Sequence, residues 1–146
     1  MKIGFLLLIL LSFGLWQKNK KPTINTQTLQ TINACTGKKL CAIVYIAPWC
    51  PACEQMSPIL KIFLHKSQSV TEYGFQIIVG DERSPGQNGQ KAQSLGDGVM
   101  IDGDRSLARS LNITYYPTFY VLDPTGKVLM KDQDAMTWAN QHFASK

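Results

Sequence analysis

Histidine is scarce in this chain of 146 residues: His65 and His142 are the only two, and they stand far apart. A structural zinc site draws four ligands, usually from two closely spaced Cys or His pairs. Beyond Cys50 and Cys53 there is no second such pair, and the six-residue separation of Cys35 and Cys41 lies outside zinc-knuckle spacing. The acidic residues Asp97, Asp102 and Asp104 lack the ligand spacing and closing glutamate of a calcium loop, so they read as turn chemistry. A basic stripe interleaved with aromatics is also missing. The net charge is +5, but Lys2, Lys18, Lys20 and Lys21 supply four of the five, which leaves the rest of the chain at +1 and argues against a nucleic-acid partner. Long apolar runs are missing too. The longest, from Ile3 to Trp16, has fourteen residues, about 21 Å as a helix against a bilayer core of ~30 Å.

What is present is enough for one core. With 45% of its residues apolar, a chain of this length builds a single domain and leaves no room for a second. Lys2 followed by the apolar run marks residues 1–21 as a signal peptide or an N-terminal membrane anchor. Ser12 and Gly14 have the small-x-small form of a cleavage site. Lys18, Lys20 and Lys21 follow at once and tilt the reading toward an uncleaved anchor, which needs thinning of the bilayer or snorkelling lysines. Those lysines also weaken the charge rule for export, and a cytoplasm-facing anchor is the alternative. Four cysteines in one small domain suit an oxidising, extracytoplasmic compartment better.

The chemistry concentrates in Trp49-Cys50-Pro51-Ala52-Cys53, at the end of the apolar run Ala42 to Ala47. A thiolate, not a thiol, is the reactive species. A helix beginning at Cys50 places that sulfur beside unpaired backbone N–H groups and the positive end of the helix dipole, both of which favour the anion. Cys50 is then the attacking thiol. Cys53, three residues on and on the same helical face, resolves the mixed disulfide, while Pro51 fits the first turn because its missing N–H has no helical partner there.

The surroundings of this motif resemble the thioredoxin fold. The stretch from Ile43 to Cys53 is similar to that family's central strand and active-site turn, Pro58-Ile59-Leu60 to its helix-kinking proline, and Tyr116-Pro117-Thr118-Phe119 to its cis-proline loop, with a hairpin of 119–122 and 127–130 after it. The resemblance covers about residues 38–143. It implies a three-layer α/β/α sandwich around a mixed sheet, a cis Pro117, and a Trp49 that lies beside the sulfurs as a partly exposed lid. It also implies a Tyr116 backbone against which an extended substrate segment pairs. Tyr116 itself is either substrate-facing or packed on Trp49. The segments from Val99 to Arg109 and from Tyr120 to Val128 further resemble the extracytoplasmic, membrane-tethered branch, whose members commonly reduce or exchange disulfides. One departure stands out: Val44 occupies the position, six before Cys50, where many thioredoxins carry a buried acid that assists proton transfer at the second cysteine. Glu54 follows Cys53 directly and is not a substitute in sequence terms.

Elsewhere, residues 22–37 read as a linker and a short N-terminal helix, ahead of a domain over 38–146. Met56, Ile59, Leu60, Phe63 and Leu64 recur at helical spacing over 50–66, with a kink expected at Pro58. A strand is predicted over 73–79 and a loop over 80–98 with a short helix near 91–95. Short helices follow over 106–111 and 134–143, the last capped by Asp134 and contributing Met136, Trp138 and Phe143 to the core. Cys35 and Cys41 bracket a polar turn that brings their α-carbons close enough for a structural disulfide, the alternative being a second redox pair.

The function predicted is an exported thiol–disulfide oxidoreductase, working as a reductase on protein substrates. Cys50 and Cys53 are the catalytic pair and Trp49, Tyr116 and Pro117 face the substrate. No cofactor or metal is called for, a membrane electron donor or acceptor is the expected partner, and a monomer is expected. The alternatives are an oxidant that donates disulfides, a copper-handling protein of the same fold using the two thiols as soft ligands, and a non-catalytic interaction module. His65 and His142 read as surface or interfacial residues.

Overall fold

Strict alternation runs through the central strands and sorts their side chains into two cores. In a computed structural model, which describes residues 23–144, β1 (Leu40–Ile46) sends Ala42, Val44 and Ile46 to one face of the sheet and Cys41, Ile43 and Tyr45 to the other. That period of two is the signature of a strand. Because both faces are covered, β1 reads as a continuous apolar run. It pairs in parallel with β2 (Tyr73–Gly80). Next come α1 (Thr26–Gln30), α2 (Pro51–Ser67), α3 (Gln87–Leu95) and α4 (Ser106–Ser110). The short strand β3 (Met100–Asp102) lies parallel outside β2. The antiparallel pair β4 (Thr118–Leu122) and β5 (Val128–Lys131) completes the sheet in the order β3-β2-β1-β4-β5. With α5 (Asp132–Phe143), helices α2 and α3 cover the face of Val44 and Val79. Helices α1 and α4 cover the face of Tyr45 and Ile78. The result is the three-layer α/β/α sandwich around a mixed sheet that the resemblance implied.

Several details differ from the sequence reading. Residues 23–37 hold the short helix, but they are not a linker: Ile24, Leu29, Ile32 and Cys35 are buried in the second core. Thr23 bridges to Lys127, and the Ile24 N–H donates to the Gly126 carbonyl at 2.8 Å. Gly126 is required there, since its φ is +85° and a Cβ would fall on the Ile24 carbonyl. Helix α3 starts four residues earlier than predicted, because its inward positions Asn88, Lys91, Ala92 and Leu95 have helical spacing but two of them are polar, which hides the apolar stripe. Helix α5 starts at Asp132 without a side-chain cap, so Asp134 lies in the first turn beside Asp132 rather than capping it. Both carboxylates still favour the positive helix end. Trp138 and Phe143 are buried and Met136 is half-buried. Helix α2 has Pro58 inside it, at the position where the sequence places the helix-kinking proline. The predicted signal or anchor segment lies outside the described residues, and no described helix is long and apolar enough to cross a membrane.

Candidate active site

Cys50 is the N-cap of α2, with extended backbone (φ −80°, ψ 116°) and Pro51 following in the first turn. Its sulfur accepts the backbone N–H of Cys53 at 3.1 Å, and its carbonyl accepts that of Glu54 at 3.1 Å. A helix start leaves such donors without intrahelical partners, and here the cysteine sulfur takes one of them. The structure holds Cys50 and Cys53 as a disulfide with Cα atoms 5.2 Å apart. Cys53 is fully buried, whereas Cys50 keeps 6% of its surface exposed. A partner sulfur can therefore approach only through Cys50.

Beside this pair lies an aromatic and ionic cluster. Trp49 is half-buried, and its indole N–H donates to the Asp81 carbonyl at 2.7 Å. The Tyr116 ring meets Trp49 edge-on at 5.6 Å and stacks on the buried Tyr45 at 5.9 Å. The peptide between Tyr116 and Pro117 is cis. Thr118, the next residue, pairs in register with Tyr45 near the end of β1, so the Pro117 loop and the Cys50 turn emerge at the same end of the central strands. The Tyr116 hydroxyl donates to an Asp81 carboxylate oxygen at 2.8 Å and accepts from the Arg105 guanidinium at 3.0 Å. Burial and the Asp81 hydrogen bond push the Tyr116 phenol up to about 12. Arg105 Nε also lies 3.8 Å from Asp81, and the Arg83 guanidinium sits 3.6 Å over the Trp49 ring. Tyr116 thus packs on Trp49 while keeping part of its surface in solvent.

Behind Tyr116, the Tyr45 hydroxyl donates to the buried Asp102 at 2.7 Å, and burial raises the Tyr45 phenol well above its ordinary range. The two Asp102 oxygens also accept the N–H groups of Leu107 (3.0 Å) and Ala108 (2.8 Å), which anchors the start of α4. Asp104 accepts from Ser106 N–H at 3.0 Å. These two acids are thus committed to turn and helix-start bonds.

Val44 is fully buried between Ile77 and Phe119, so no carboxylate lies at that point of the core. Glu54 does not take its place: its largely exposed carboxylate pairs with Lys91, and the hydrogen bond from Lys91 lowers its pKa. Lys91 is itself buried and also donates to Ser57 Oγ at 2.8 Å, while Ser57 donates to the Cys53 carbonyl at 3.3 Å.

Sequence reasoning missed Asp81, Arg83, Lys91 and Arg105. Asp81 carried one readable signal, because it directly follows β2, and in open α/β sheets sites gather at the carboxyl ends of parallel strands. Arg105 is far from it in sequence and had none.

Cys35 and Cys41 are disulfide-bonded, with Cα atoms 5.2 Å apart. Cys41 lies near the start of β1 and Cys50 beyond its end; the strand alone places Ile46 about 17 Å from Cys41 at ~3.3 Å per residue. Thiolate attack needs sulfurs in contact, and in this structure the length of β1 holds the two pairs apart. His65 is exposed, and His142 stacks on Trp138 at 4.2 Å with Nδ1 2.7 Å from the Trp138 carbonyl. Met56 is half-buried against the first core.

A mixed five-stranded sandwich with a Cys-x-x-Cys pair at a helix start, beside a cis-proline loop, defines a thioredoxin-like protein. The chain belongs to the thioredoxin-like domain family, whose sequence profile matches residues 27–136. Among solved structures, it is similar to the exposed lipoprotein thioredoxin of Streptococcus pneumoniae (17% identity, 82% of this chain and 96% of that one, TM-score 0.57). It is also similar to a secreted Mycobacterium tuberculosis disulfide oxidoreductase homologous to E. coli DsbE (16%, 82% and 93%, TM-score 0.55). A third likeness is to StoA of Bacillus subtilis (18%, 66% and 75%, TM-score 0.56). At these identities the likeness is one of fold. No curated protein sequence matches the chain.

Proposed function

We propose that the protein is an extracytoplasmic thiol–disulfide oxidoreductase that reduces or exchanges disulfides of protein substrates through Cys50 and Cys53. The observation that carries this reading is the Cys50 sulfur acting as N-cap acceptor of the Cys53 N–H: the same geometry that receives that donor stabilises a thiolate when the pair is reduced. In the reducing direction the Cys50 thiolate attacks one sulfur of a substrate disulfide, and the departing substrate sulfur leaves as a thiolate that takes a proton from water. Cys53 then gives up its proton, attacks the Cys50 sulfur and releases the second substrate thiolate. The substrate gains two electrons, and Cys50 and Cys53 return to the disulfide.

With Val44 in the core and Glu54 bound to Lys91, the proton of Cys53 goes to water or to a partner's group. Trp49, Tyr116 and Pro117 form the face on which substrate docks. Cys35 and Cys41 act as a structural bridge, supported by their separation from the other pair along β1. A second disulfide in so small a chain and the secreted and surface-exposed proteins of similar fold support an extracytoplasmic location. Residues 1–21 provide the export signal or anchor, and electrons come from a membrane donor. The direction is the one that the resembled branch commonly takes.

The test is the reduction potential of the Cys50/Cys53 couple. A value near −270 mV supports a reductase, one near −120 mV an oxidant that donates disulfides, and the lack of any reversible couple overturns the oxidoreductase reading in favour of copper handling.

A further inference from the structure

Every carboxylate around the cysteine pair is already engaged. Asp81 is shared by Tyr116 and Arg105, Glu82 accepts the N–H of Asn88 at 2.9 Å in the first turn of α3, and Glu54 pairs with Lys91. The Arg83 guanidinium differs. It lies over the ring of Trp49, the residue just before Cys50, and among the described residues it has no carboxylate partner. The loop that carries it is held in place, since the N–H groups of Arg83 and Ser84 both donate to the Gln87 side chain at 3.0 and 3.1 Å. A guanidinium stacked by one face on an aromatic ring keeps its N–H edge free, and that fork matches a carboxylate bidentately. The stacking also pre-orders a long side chain that is otherwise costly to immobilise.

We propose that Arg83, braced on Trp49, reads a carboxylate on the incoming partner, so that the protein selects protein segments with an acidic side chain next to the disulfide cysteine. This rests on the oxidoreductase reading and names its substrate class. Arg105 is placed differently: its guanidinium already donates to Tyr116 and has the Asp81 carboxylate 3.8 Å away as a counter-charge.

The experiment uses the reduced protein and three symmetric peptide disulfides that differ only in the residue after cysteine: Glu, Gln or Lys. Second-order exchange rates are read by acid quench and mass spectrometry, each divided by the rate of the same peptide with dithiothreitol to remove intrinsic reactivity. The Glu peptide is expected to react about fivefold faster than the Lys peptide, as one partly desolvated ion pair provides. That ratio falls below about twofold in Arg83→Gln, is only partly retained in Arg83→Lys, and shrinks at about 0.5 M salt, where charges are screened within a few Å. A ratio near one in the wild type, or an unchanged ratio in Arg83→Gln, overturns the acidic-partner inference alone. Exchange with none of the three peptides overturns the oxidoreductase reading and this inference with it.

Discussion

Tyr116 and Asp81 are joined by a 2.8 Å hydrogen bond that ties the cis-proline loop to the residue just beyond β2. The Asp81 carbonyl holds the Trp49 indole as well, so one residue sets the position of both aromatics beside Cys50. Asp81 does this with a left-handed backbone, φ 65°, a conformation that Asp and Asn tolerate better than other non-glycine residues.

Asp81→Ala therefore loses an accepted hydrogen bond and adds backbone strain. The expected cost is about 1–3 kcal/mol in urea denaturation, with slower disulfide exchange. Asp81→Asn keeps the backbone tolerance and one acceptor, and should lose less than half as much. Equal losses in the two variants exclude this account of Asp81.

Substitution separates the roles of the two cysteines. Cys50→Ser should abolish exchange, because the buried Cys53 cannot be reached by a substrate sulfur. Cys53→Ser should accumulate mixed disulfides with partners, visible as thiol-sensitive bands on non-reducing gels. A Cys50→Ser protein with undiminished turnover sinks the mechanism.

The raised phenol of Tyr116 gives a pH signature. Its folded pKa of about 12 lies above the ordinary value of 10.0, so the native state holds this proton more tightly than the unfolded chain. Its contribution to stability is complete below about pH 10 and is lost as pH rises from there toward 12. Titration of tyrosinate absorbance should show the step missing from Tyr116→Phe near pH 12. A missing step near pH 10 contradicts the burial and the Asp81 bond.

Gly80 tests the buried pair Tyr45 and Asp102. A Cβ added at Gly80 would fall on the Tyr45 hydroxyl, so Gly80→Ala must displace that group from Asp102, at an expected cost of about 2–4 kcal/mol. Adding Tyr45→Phe removes the hydroxyl, the nearest of these atoms, while the ring carbon Cζ stays 2.7 Å from the new methyl; since the Asp102 bond can be lost only once, the double variant should lose less than the sum of the two single losses. Simple additivity in thermal or urea unfolding excludes this clash.

Replacing Cys35 and Cys41 together by serine should cost ~2–3 kcal/mol on the chain-entropy model and release hydrogen-exchange protection in residues 24–35, while exchange by Cys50 and Cys53 continues. Loss of turnover together with intact stability identifies the pair as a second redox centre instead.

Much of the fold was legible because its signals are local. The run from Ala42 to Ala47 reads as a strand buried on both faces, the spacing of Leu60, Phe63 and Leu64 as one helical face, and Asp123 to Lys127 as a turn, in which the Asp123 side chain accepts from Thr125 and Lys127. Helix α3 was under-read because Asn88 and Lys91 hold buried positions, and a polar residue facing inward erases the periodicity that pattern reading relies on. The packing of residues 23–37 was hidden because Ile24, Leu29 and Ile32 are too sparse to show a period, and the surface they pack on, one face of the sheet together with the hairpin at Gly126 and Lys127, exists only in the folded chain.

The amino-acid sequence by itself determined the geometry of the cysteine pair: a Cys-Pro-Ala-Cys run at a strand-to-helix junction makes Cys50 the helix cap and Cys53 the residue one turn deeper, which follows from backbone geometry over four residues. It also determined what the site lacks, since Val44 cannot carry a proton. Tertiary structure alone decided the company that the pair keeps. Asp81 and Arg83 share the loop after β2, Arg105 lies between β3 and α4 and Tyr116 before β4; these three loops meet only when β3, β2 and β4 take their places in the sheet, and contacts between such distant residues leave no periodic trace in the chain that encodes them.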